Sequence, residues 1–343
     1  SLLNDGDYAG AKIISSSVRE YKTDYAAHIL GTVGRISDVE YAELKDTYNM
    51  DDWIGKGGVE LAFEKYLKGT DGTRSVSTNS DGKITGEYYY KVPEPGNTVE
   101  LTIDLDLQTA VENALAETVS EMNADDGKYT RGASAVVTAV GTGEVLALAS
   151  YPTYNLETYL QDYNDLANLE KNPGNPLWNR ATQGAYAPGS TFKPLTAVAA
   201  LQEGVITPYQ KIRDTGRWIY PGTTNDGASC WKRSGHGLLN ISEAITNSCN
   251  YFFAEMGYRL GLDTLNEYAK AFGLGVSTGI EIGDRAGNLT ENGPGENLAP
   301  WAAFGQASYL FTPLQLSNYV ATLASGGKHC QAHLLKSVKS YDN

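Results

Sequence analysis

The chain has 343 residues, of which 41% are hydrophobic and 20% charged, and its formal net charge is −14 at pH 7. This composition is typical of a globular protein that is large enough for more than one domain, and the negative charge argues against nucleic acid as a partner because phosphate binding requires a basic patch. No apolar run approaches the roughly eighteen residues of a membrane helix, and no signal-peptide pattern opens the sequence.

The N-terminal part of the chain is predicted to form a separate module. Residues 38–45 and 59–67 have apolar side chains at helical spacing, and no candidate nucleophile accompanies them. Residues 93–97 are rich in proline and glycine and make a natural boundary. We therefore expect a scaffold or spacer module over residues 1–95 and a second domain over residues 96–343.

The second domain opens with the patterns of a strand, a helix and a hairpin. Apolar residues alternate over residues 98–104, as in a half-buried strand. Asp106 is positioned to cap a helix that ends near Met122. Residues 133–140 and 144–150 are β-type runs around a Gly-Thr-Gly turn. This order indicates an α+β fold in which an antiparallel sheet is flanked by helices.

The strongest candidates for chemistry are Ser190 and Lys193. A Pro-Gly turn precedes them and a helix-forming run follows. Residues three apart share a helix face, so the Lys193 amine is expected beside the Ser190 hydroxyl. A buried, neutral amine can take the proton of a serine and make it a nucleophile. Three other Ser-x-x-Lys matches lie in loop-like sequence, and they begin at Ser80, Ser229 and Ser325.

A second candidate is the Ser-x-Asn triplet of Ser248, Cys249 and Asn250, which lies between two helical runs. Residues two apart do not share a direction in a helix, but they do in extended or turn backbone. If Ser248 and Asn250 both face a site, the helix must break there and Cys249 must point into the protein. The alternative is that the serine and the asparagine only cap helices.

Together these motifs resemble those of the penicillin-binding transpeptidases and class A β-lactamases. The segments around Gly305 and Thr312–Gln315 are similar to class B members of the transpeptidase family, and residues 25–31 and 55–60 look like the pedestal of those members. The resemblance implies the transpeptidase fold of the family behind an N-terminal pedestal module.

One motif of the family is absent. No Lys-Thr-Gly or Lys-Ser-Gly sequence occurs in these 343 residues. The resemblance therefore indicates a chain truncated before that motif, and one without the N-terminal membrane helix usual for the family. In the family the missing strand binds the substrate carboxylate and completes the oxyanion hole. We expect this chain to acylate more slowly than one that carries the strand.

The resemblance implies a D,D-transpeptidase that cross-links peptidoglycan stem peptides and is a target of β-lactams. Ser190 would attack the D-Ala-D-Ala carbonyl, Lys193 would act as the base, Ser248 would relay a proton to the leaving group, and Asn250 would hold the substrate amide. The enzyme would work at the extracytoplasmic face of a bacterial membrane, beside a membrane glycosyltransferase of the cell-wall machinery.

Two alternatives stay open at this point. One is a serine β-lactamase, which the sequence disfavours because we find no equivalent of the glutamate loop that activates water in class A enzymes. The other is a penicillin-binding sensor or a scaffold that binds without turnover.

A separate constellation contains Cys230, His236 and Cys249, with Asp214 upstream. These are zinc ligand types, and four of them complete a structural tetrahedral site. A Cys230–Cys249 disulfide or two free thiols are the alternatives, and Asp226 is the substitute for Asp214. The chain resembles elongation-type class B enzymes here, since some carry zinc on Asp, His and Cys around the Ser-x-Asn turn. We therefore expect structural zinc behind that turn, rather than a disulfide.

Overall fold

The computed structural model of the chain describes residues 19–80, 84–124, 129–161, 168–224 and 226–342. The helices are α1 Ala27–Leu30, α2 Asp38–Leu44, α3 Gly58–Ala62, α4 Glu64–Leu67, α5 Leu105–Ala124, α6 Leu156–Gln161, α7 Arg180–Gln183, α8 Lys193–Gln202, α9 Ile241–Thr246, α10 Asn250–Leu260, α11 Leu262–Ala271, α12 Ala299–Ala302 and α13 Pro313–Ala324, with a 3-10 helix at Gly189–Phe192. The strands are β1 Val33–Arg35, β2 Trp53–Gly55, β3 Thr73–Thr78, β4 Ile84–Lys91, β5 Thr98–Leu101, β6 Ala133–Thr138, β7 Val145–Tyr151, β8 Ile212–Asp214, β9 Arg217–Ile219, β10 Asp226–Ser229, β11 Gly237–Leu239 and β12 Leu335–Lys339. Within the described ranges, no helix combines the length and the apolar character needed to cross a bilayer.

The N-terminal part consists of short helices and antiparallel strand pairs. β1 pairs with β2, and a capping box between Ser37 and Glu40 begins α2. The helix predicted over residues 59–67 is divided into α3 and α4, because Phe63 leaves the helical conformation at φ −113°. β3 and β4 form an antiparallel hairpin.

The antiparallel sheet predicted for the second domain is present. β6 and β7 form the hairpin, with Ala133 opposite Tyr151. β5 pairs antiparallel with β12. Just after β5, the Thr102 amide donates to the Leu334 carbonyl beside β12 at 2.8 Å. The Asp104 amide donates to the Leu146 carbonyl of β7 at 2.9 Å. Strands far apart in sequence are thus joined into one side of the domain.

Helix α5 is attached to this sheet by a buried glutamine. The Gln108 side chain donates to the Leu148 carbonyl at 2.9 Å and accepts from the Leu148 amide at 2.7 Å. The predicted cap of α5 was wrong, because Asp104 accepts from the Leu107 amide at 3.0 Å and takes the role assigned to Asp106. Both positions carry aspartate, so the sequence alone does not distinguish them.

Helix α8 lies between two aromatic cores. Ala197 and Ala200 pack in a cluster with Phe252 and Phe253. Leu195, on another face of α8, packs with a second cluster that includes Phe192, Tyr309, Phe311 and Tyr319. Because α8 is buried from both sides, the turn at its N-terminus has a fixed position relative to the rest of the domain.

Candidate active site

Ser190, which the sequence places at the start of a helix, lies in the 3-10 turn that precedes α8, and the α-helix itself begins at Lys193. Gly189 has φ +54°, a conformation that favours glycine, and its amide donates to the Gly305 carbonyl at 2.9 Å. The Ser190 side chain is exposed, whereas Lys193 at the start of α8 is buried. The turn therefore presents a hydroxyl to solvent and keeps the neighbouring amine inside.

Gly305 holds this turn from the opposite side. It has φ +77°, and a Cβ at this position would lie 1.9 Å from the Gly189 carbonyl oxygen. The two backbones approach too closely for any side chain at Gly305. This contact gives a physical reason for the glycine in the Gly305-Gln306 segment that the sequence singles out.

The Lys193 amine contacts four oxygen atoms. Its Nζ lies 3.1 Å from Ser190 Oγ and 2.9 Å from Ser248 Oγ. It also lies 2.7 Å from the Ser248 carbonyl oxygen and 2.7 Å from Asn250 Oδ1. The two hydroxyl oxygens, of Ser190 and Ser248, are 3.0 Å apart. The structure therefore brings together all four residues that the sequence motifs single out.

Burial of Lys193 shifts its protonation balance toward the neutral amine. Its side chain is 2% exposed, and desolvation lowers the pKa of the amine to about 8. The two shortest contacts are to the Ser248 carbonyl and Asn250 Oδ1, which only accept hydrogen bonds and so take two N–H groups. A neutral amine then has one lone pair left, and the hydroxyls of Ser190 and Ser248 are the remaining neighbours. This arrangement can accept a proton from Ser190.

The Ser-x-Asn triplet breaks the helix, which is the geometry expected if Ser248 and Asn250 both face one site. Ser248 has φ +48° and separates α9 from α10. Cys249 is fully buried, and its sulfur accepts from the Phe252 amide at 3.3 Å, which caps α10. Ser248 and Asn250 consequently face Lys193 while Cys249 faces the interior.

Behind this triplet lies a buried cluster of the four predicted metal ligands. The ligand atoms of Asp214, Cys230, His236 and Cys249 all lie within 4.8 Å of one another. The two sulfurs are 4.0 Å apart, and Cys230 Sγ is 3.5 Å from His236 Nδ1. Ligands of tetrahedral zinc are separated by roughly 3.3–3.8 Å, given bonds of about 2.0–2.3 Å. The cluster therefore offers four donors of the types that bind zinc, at separations between 2.7 and 4.8 Å that bracket these values.

Asp214 is built into this cluster by its hydrogen bonds. Its carboxylate lies 2.7 Å from His236 Nδ1 and 3.3 Å from the Cys249 sulfur. Burial acts to raise the pKa of Asp214, but hydrogen bonds from the Gly216 amide and the His236 ring outweigh it and hold the pKa below the ordinary value. The carboxylate is thus kept ionised beside the two thiols.

The sequence left two alternatives to this ligand set, a Cys230–Cys249 disulfide and Asp226 in place of Asp214. Cys230 and Cys249 are free, with sulfurs 4.0 Å apart against about 2.05 Å for a disulfide bond. The side chain of Asp226, the substitute carboxylate, lies outside the described part of the chain.

Sequence reasoning missed the backbone that runs beside the triplet. The Asn250 side chain donates to the Ser229 carbonyl at 3.3 Å, and the Trp231 indole donates to the Asn247 carbonyl at 3.0 Å. Between them, Cys230 is buried within an otherwise polar segment. Cysteine is among the residue types most often buried, so Cys230 itself was the signal in the sequence for a buried point in this segment.

Two models of known protein families match this chain. The model of the penicillin binding protein transpeptidase domain matches residues 133–343, and that of the penicillin-binding protein dimerisation domain matches residues 3–101. Over 96% of its length the chain is 33% identical to the peptidoglycan D,D-transpeptidase MrdA of Acinetobacter baumannii, and it covers 49% of that protein. The chain spans about half the length of the curated relatives it matches.

Solved structures show the same fold. One of them comes from work on the structural coordination of polymerization and crosslinking by a peptidoglycan synthase complex. It matches with a TM-score of 0.82 and 33% sequence identity, and the match covers 93% of this chain and 57% of that chain. Another, a complex between the penicillin-binding protein PBP2 and MreC from Helicobacter pylori, matches with a TM-score of 0.77 at 26% identity, over 92% of this chain and 59% of that one.

The contact between Gly305 and Gly189 predicts a large stability loss for Gly305→Ala. The new Cβ would overlap the Gly189 carbonyl, so we expect a loss of more than about 2 kcal/mol in the free energy of unfolding, measured by urea denaturation.

The matched control is Gly326→Ala. Gly326 also has positive φ, +76°, but a Cβ there meets no atom within 4 Å. It should cost only the backbone strain of about 1 kcal/mol. Equal losses in the two variants would contradict a tight contact at Gly305.

Proposed function

Because this chain belongs to the penicillin-binding protein transpeptidase family, we propose that the whole protein cross-links peptidoglycan through an acyl-enzyme on Ser190. The observation that carries the proposal is the buried Lys193 amine, 3.1 Å from an exposed serine hydroxyl. The substrate is a stem peptide that ends in D-Ala-D-Ala. The covalent step couples attack on its carbonyl to release of the terminal D-Ala.

Each of the four polar side chains has its own role in the acyl transfer. Ser190 Oγ attacks the carbonyl carbon while its proton passes to the neutral amine of Lys193. Ser248, within 3.0 Å of both groups, relays a proton to the departing amine of D-Ala. Asn250 orients the Lys193 amine and holds the substrate amide. The Ser190 amide supplies one donor to the oxyanion.

The acyl-enzyme is then resolved by an amine from a neighbouring stem peptide, which returns Ser190 to its starting state and forms the cross-link. A β-lactam enters the same first step, but its leaving group stays attached and the acyl-enzyme accumulates. Resolution by water would make the protein a β-lactamase, and binding without resolution would make it a sensor. The family match favours the transpeptidase.

We extend the proposal to the setting of the enzyme. Residues 1–95 would form the pedestal module, and residues 96–343 would belong to the transpeptidase domain. The solved structures that this chain resembles include a peptidoglycan synthase complex and a PBP2–MreC complex. We therefore propose an enzyme of cell elongation and cell shape that is anchored in the bacterial cell membrane. It would act on the extracytoplasmic face, beside a membrane glycosyltransferase.

We also propose that Asp214, Cys230, His236 and Cys249 hold a structural zinc ion. Zinc would supply a cross-link among four segments and no step of the acyl transfer. Cys249 is the central residue of the Ser-x-Asn triplet, so its ligation would pin the backbone that carries Ser248 and Asn250. The fit of the buried donor set supports this assignment.

The function is tested with the whole protein that carries this chain. A chromogenic β-lactam should produce a long-lived mass adduct on Ser190, and a stem pentapeptide should lose D-Ala. Ser190→Ala should form no adduct. Ser325→Ala, which removes the serine of a loop Ser-x-x-Lys match, should keep it. Rapid β-lactam turnover would instead indicate a β-lactamase, and an adduct without D-Ala release would indicate a sensor.

The position of Lys193 predicts the pH dependence of acylation. Its pKa is lowered to about 8, and only the neutral amine has a lone pair for the Ser190 proton. The acylation rate should therefore rise about tenfold per pH unit below pH 8 and level off above it. Stopped-flow acylation by a penicillin measures this profile. A rate that is constant between pH 6 and about 9 would exclude Lys193 as the titrating base.

The zinc proposal predicts about one zinc ion per chain by elemental analysis. Cys230→Ser should lose the metal and lower the melting temperature, since a ligand is removed. Cys330→Ser is the control, because Cys330 is a free cysteine outside the cluster and its loss should change neither quantity. A metal-free protein with a Cys230–Cys249 bond in its peptide map would overturn the assignment.

A further inference from the structure

The junction between the 3-10 turn and α8 leaves one backbone carbonyl without its regular partner. In a 3-10 pattern the Thr191 carbonyl would accept from residue 194, but Pro194 has no N–H. In an α-helical pattern it would accept from the amide of Leu195, four residues later. α8 begins only at Lys193. Thr191 is the residue after Ser190, and Leu195 lies two residues after Lys193, so this interrupted contact spans the turn between the two side chains.

Tyr319, from the distant helix α13, lies in the gap between the Thr191 carbonyl and the Leu195 amide. The Leu195 amide donates to the Tyr319 hydroxyl at 3.1 Å, and the same hydroxyl donates to the Thr191 carbonyl at 3.1 Å. A hydroxyl has one proton and two lone pairs, so it can serve both groups at once. Tyr319 thus stands between an amide and a carbonyl that would bond directly in an uninterrupted helix. Insertion of a side chain into the hydrogen-bond ladder is a known cause of a helix bend.

The tyrosine is held rigidly and stays protonated. Its side chain is 0% exposed, and its ring packs edge-on against Phe272 at 5.7 Å. Burial raises the pKa of the Tyr319 hydroxyl, so the donor to Thr191 persists throughout the neutral range.

The helix that carries Tyr319 is itself anchored. A capping box between Thr312 and Gln315 begins α13. The Gln315 side chain also donates to the Val276 carbonyl at 2.6 Å and to the Ala286 carbonyl at 2.8 Å. The position of the hydroxyl is therefore set by the body of the domain.

We infer that Tyr319 is a positioning residue for the acylation step, because its hydroxyl holds the Ser190–Lys193 segment in the 3-10-to-α geometry that joins the two side chains. Without the hydroxyl, the Leu195 amide loses its acceptor and the Thr191 carbonyl loses its donor, so both groups turn to water. This change rotates the turn and lengthens the Ser190–Lys193 contact. The catalytic part of this inference rests on the proposed acylation of Ser190.

The test variant is Tyr319→Phe, which removes the hydroxyl and keeps the ring. Tyr309→Phe is a matched control. Tyr309 is equally buried, its ring packs on Phe192 at 4.8 Å, and its hydroxyl donates to Asn266 at 2.8 Å, away from the Thr191–Leu195 gap. Both variants lose one buried hydroxyl. A purely structural role predicts similar effects for the two.

We expect Tyr319→Phe to lower the rate constant of acylation by a β-lactam about 10- to 100-fold while the dissociation constant of the preceding non-covalent complex stays the same. Tyr309→Phe should change the rate less than about threefold once melting temperatures show that both are folded. Equal rates for the two variants would overturn the inference.

A double variant tests the proposed route through Thr191. Pro194→Ala restores an amide that can bond to the Thr191 carbonyl. The rate loss caused by Tyr319→Phe should therefore be smaller in the Pro194→Ala background. An unchanged loss would show that the hydroxyl does not act through that carbonyl.

Hydrogen exchange separates this inference from the proposed function. In Tyr319→Phe, the Leu195 amide should exchange at least about tenfold faster, with no comparable change in Tyr309→Phe. This measurement needs no acylation. If the parent protein forms no adduct, the proposed function fails, and exchange still decides whether Tyr319 holds the turn. Unchanged exchange at Leu195 would overturn the inference.

Discussion

The burial of one amine is the constraint on which the site depends. Lys193 sits among four oxygens with 2% of its side chain exposed, and an ammonium ion there loses most of its hydration. The protein offsets this cost with hydrogen bonds to two chain segments, the Ser190 turn and the Ser248–Asn250 triplet. Desolvation consequently lowers the pKa of the amine to about 8, and its contacts have the directions that a proton acceptor requires.

Three departures from regular helix geometry make this burial possible. The 3-10 turn at Gly189–Phe192 exposes Ser190 while Lys193 turns inward. The positive φ of Ser248 turns Ser248 and Asn250 toward the amine. Tyr319 occupies the gap in the α8 ladder. Each departure costs backbone energy, and each is supported by tightly packed surroundings.

Sequence patterns predicted the elements that depend on residues close together in the chain. The hairpin of β6 and β7 and the break at Ser248 follow from turn chemistry and from spacing, and both are present. The contacts of Tyr319 could not be predicted, because Thr191 lies 128 residues away and an isolated tyrosine in an apolar helix has no distinguishing pattern. The close approach of Gly305 to Gly189 could not be predicted either, because these two residues are also far apart in the sequence. The α5 cap was misplaced because Asp104 and Asp106 carry the same side chain.

The pairing of β5 with β12 has a consequence for how the domain forms during synthesis. Glu100 and Ser337 bond to each other across 237 residues of sequence. The first strand of the domain therefore leaves the ribosome long before its partner exists. Until then its edge is open, and the slow closure of so long a loop exposes the nascent sheet to mispairing. That interval ends only when β12 has been synthesised and pairs with β5.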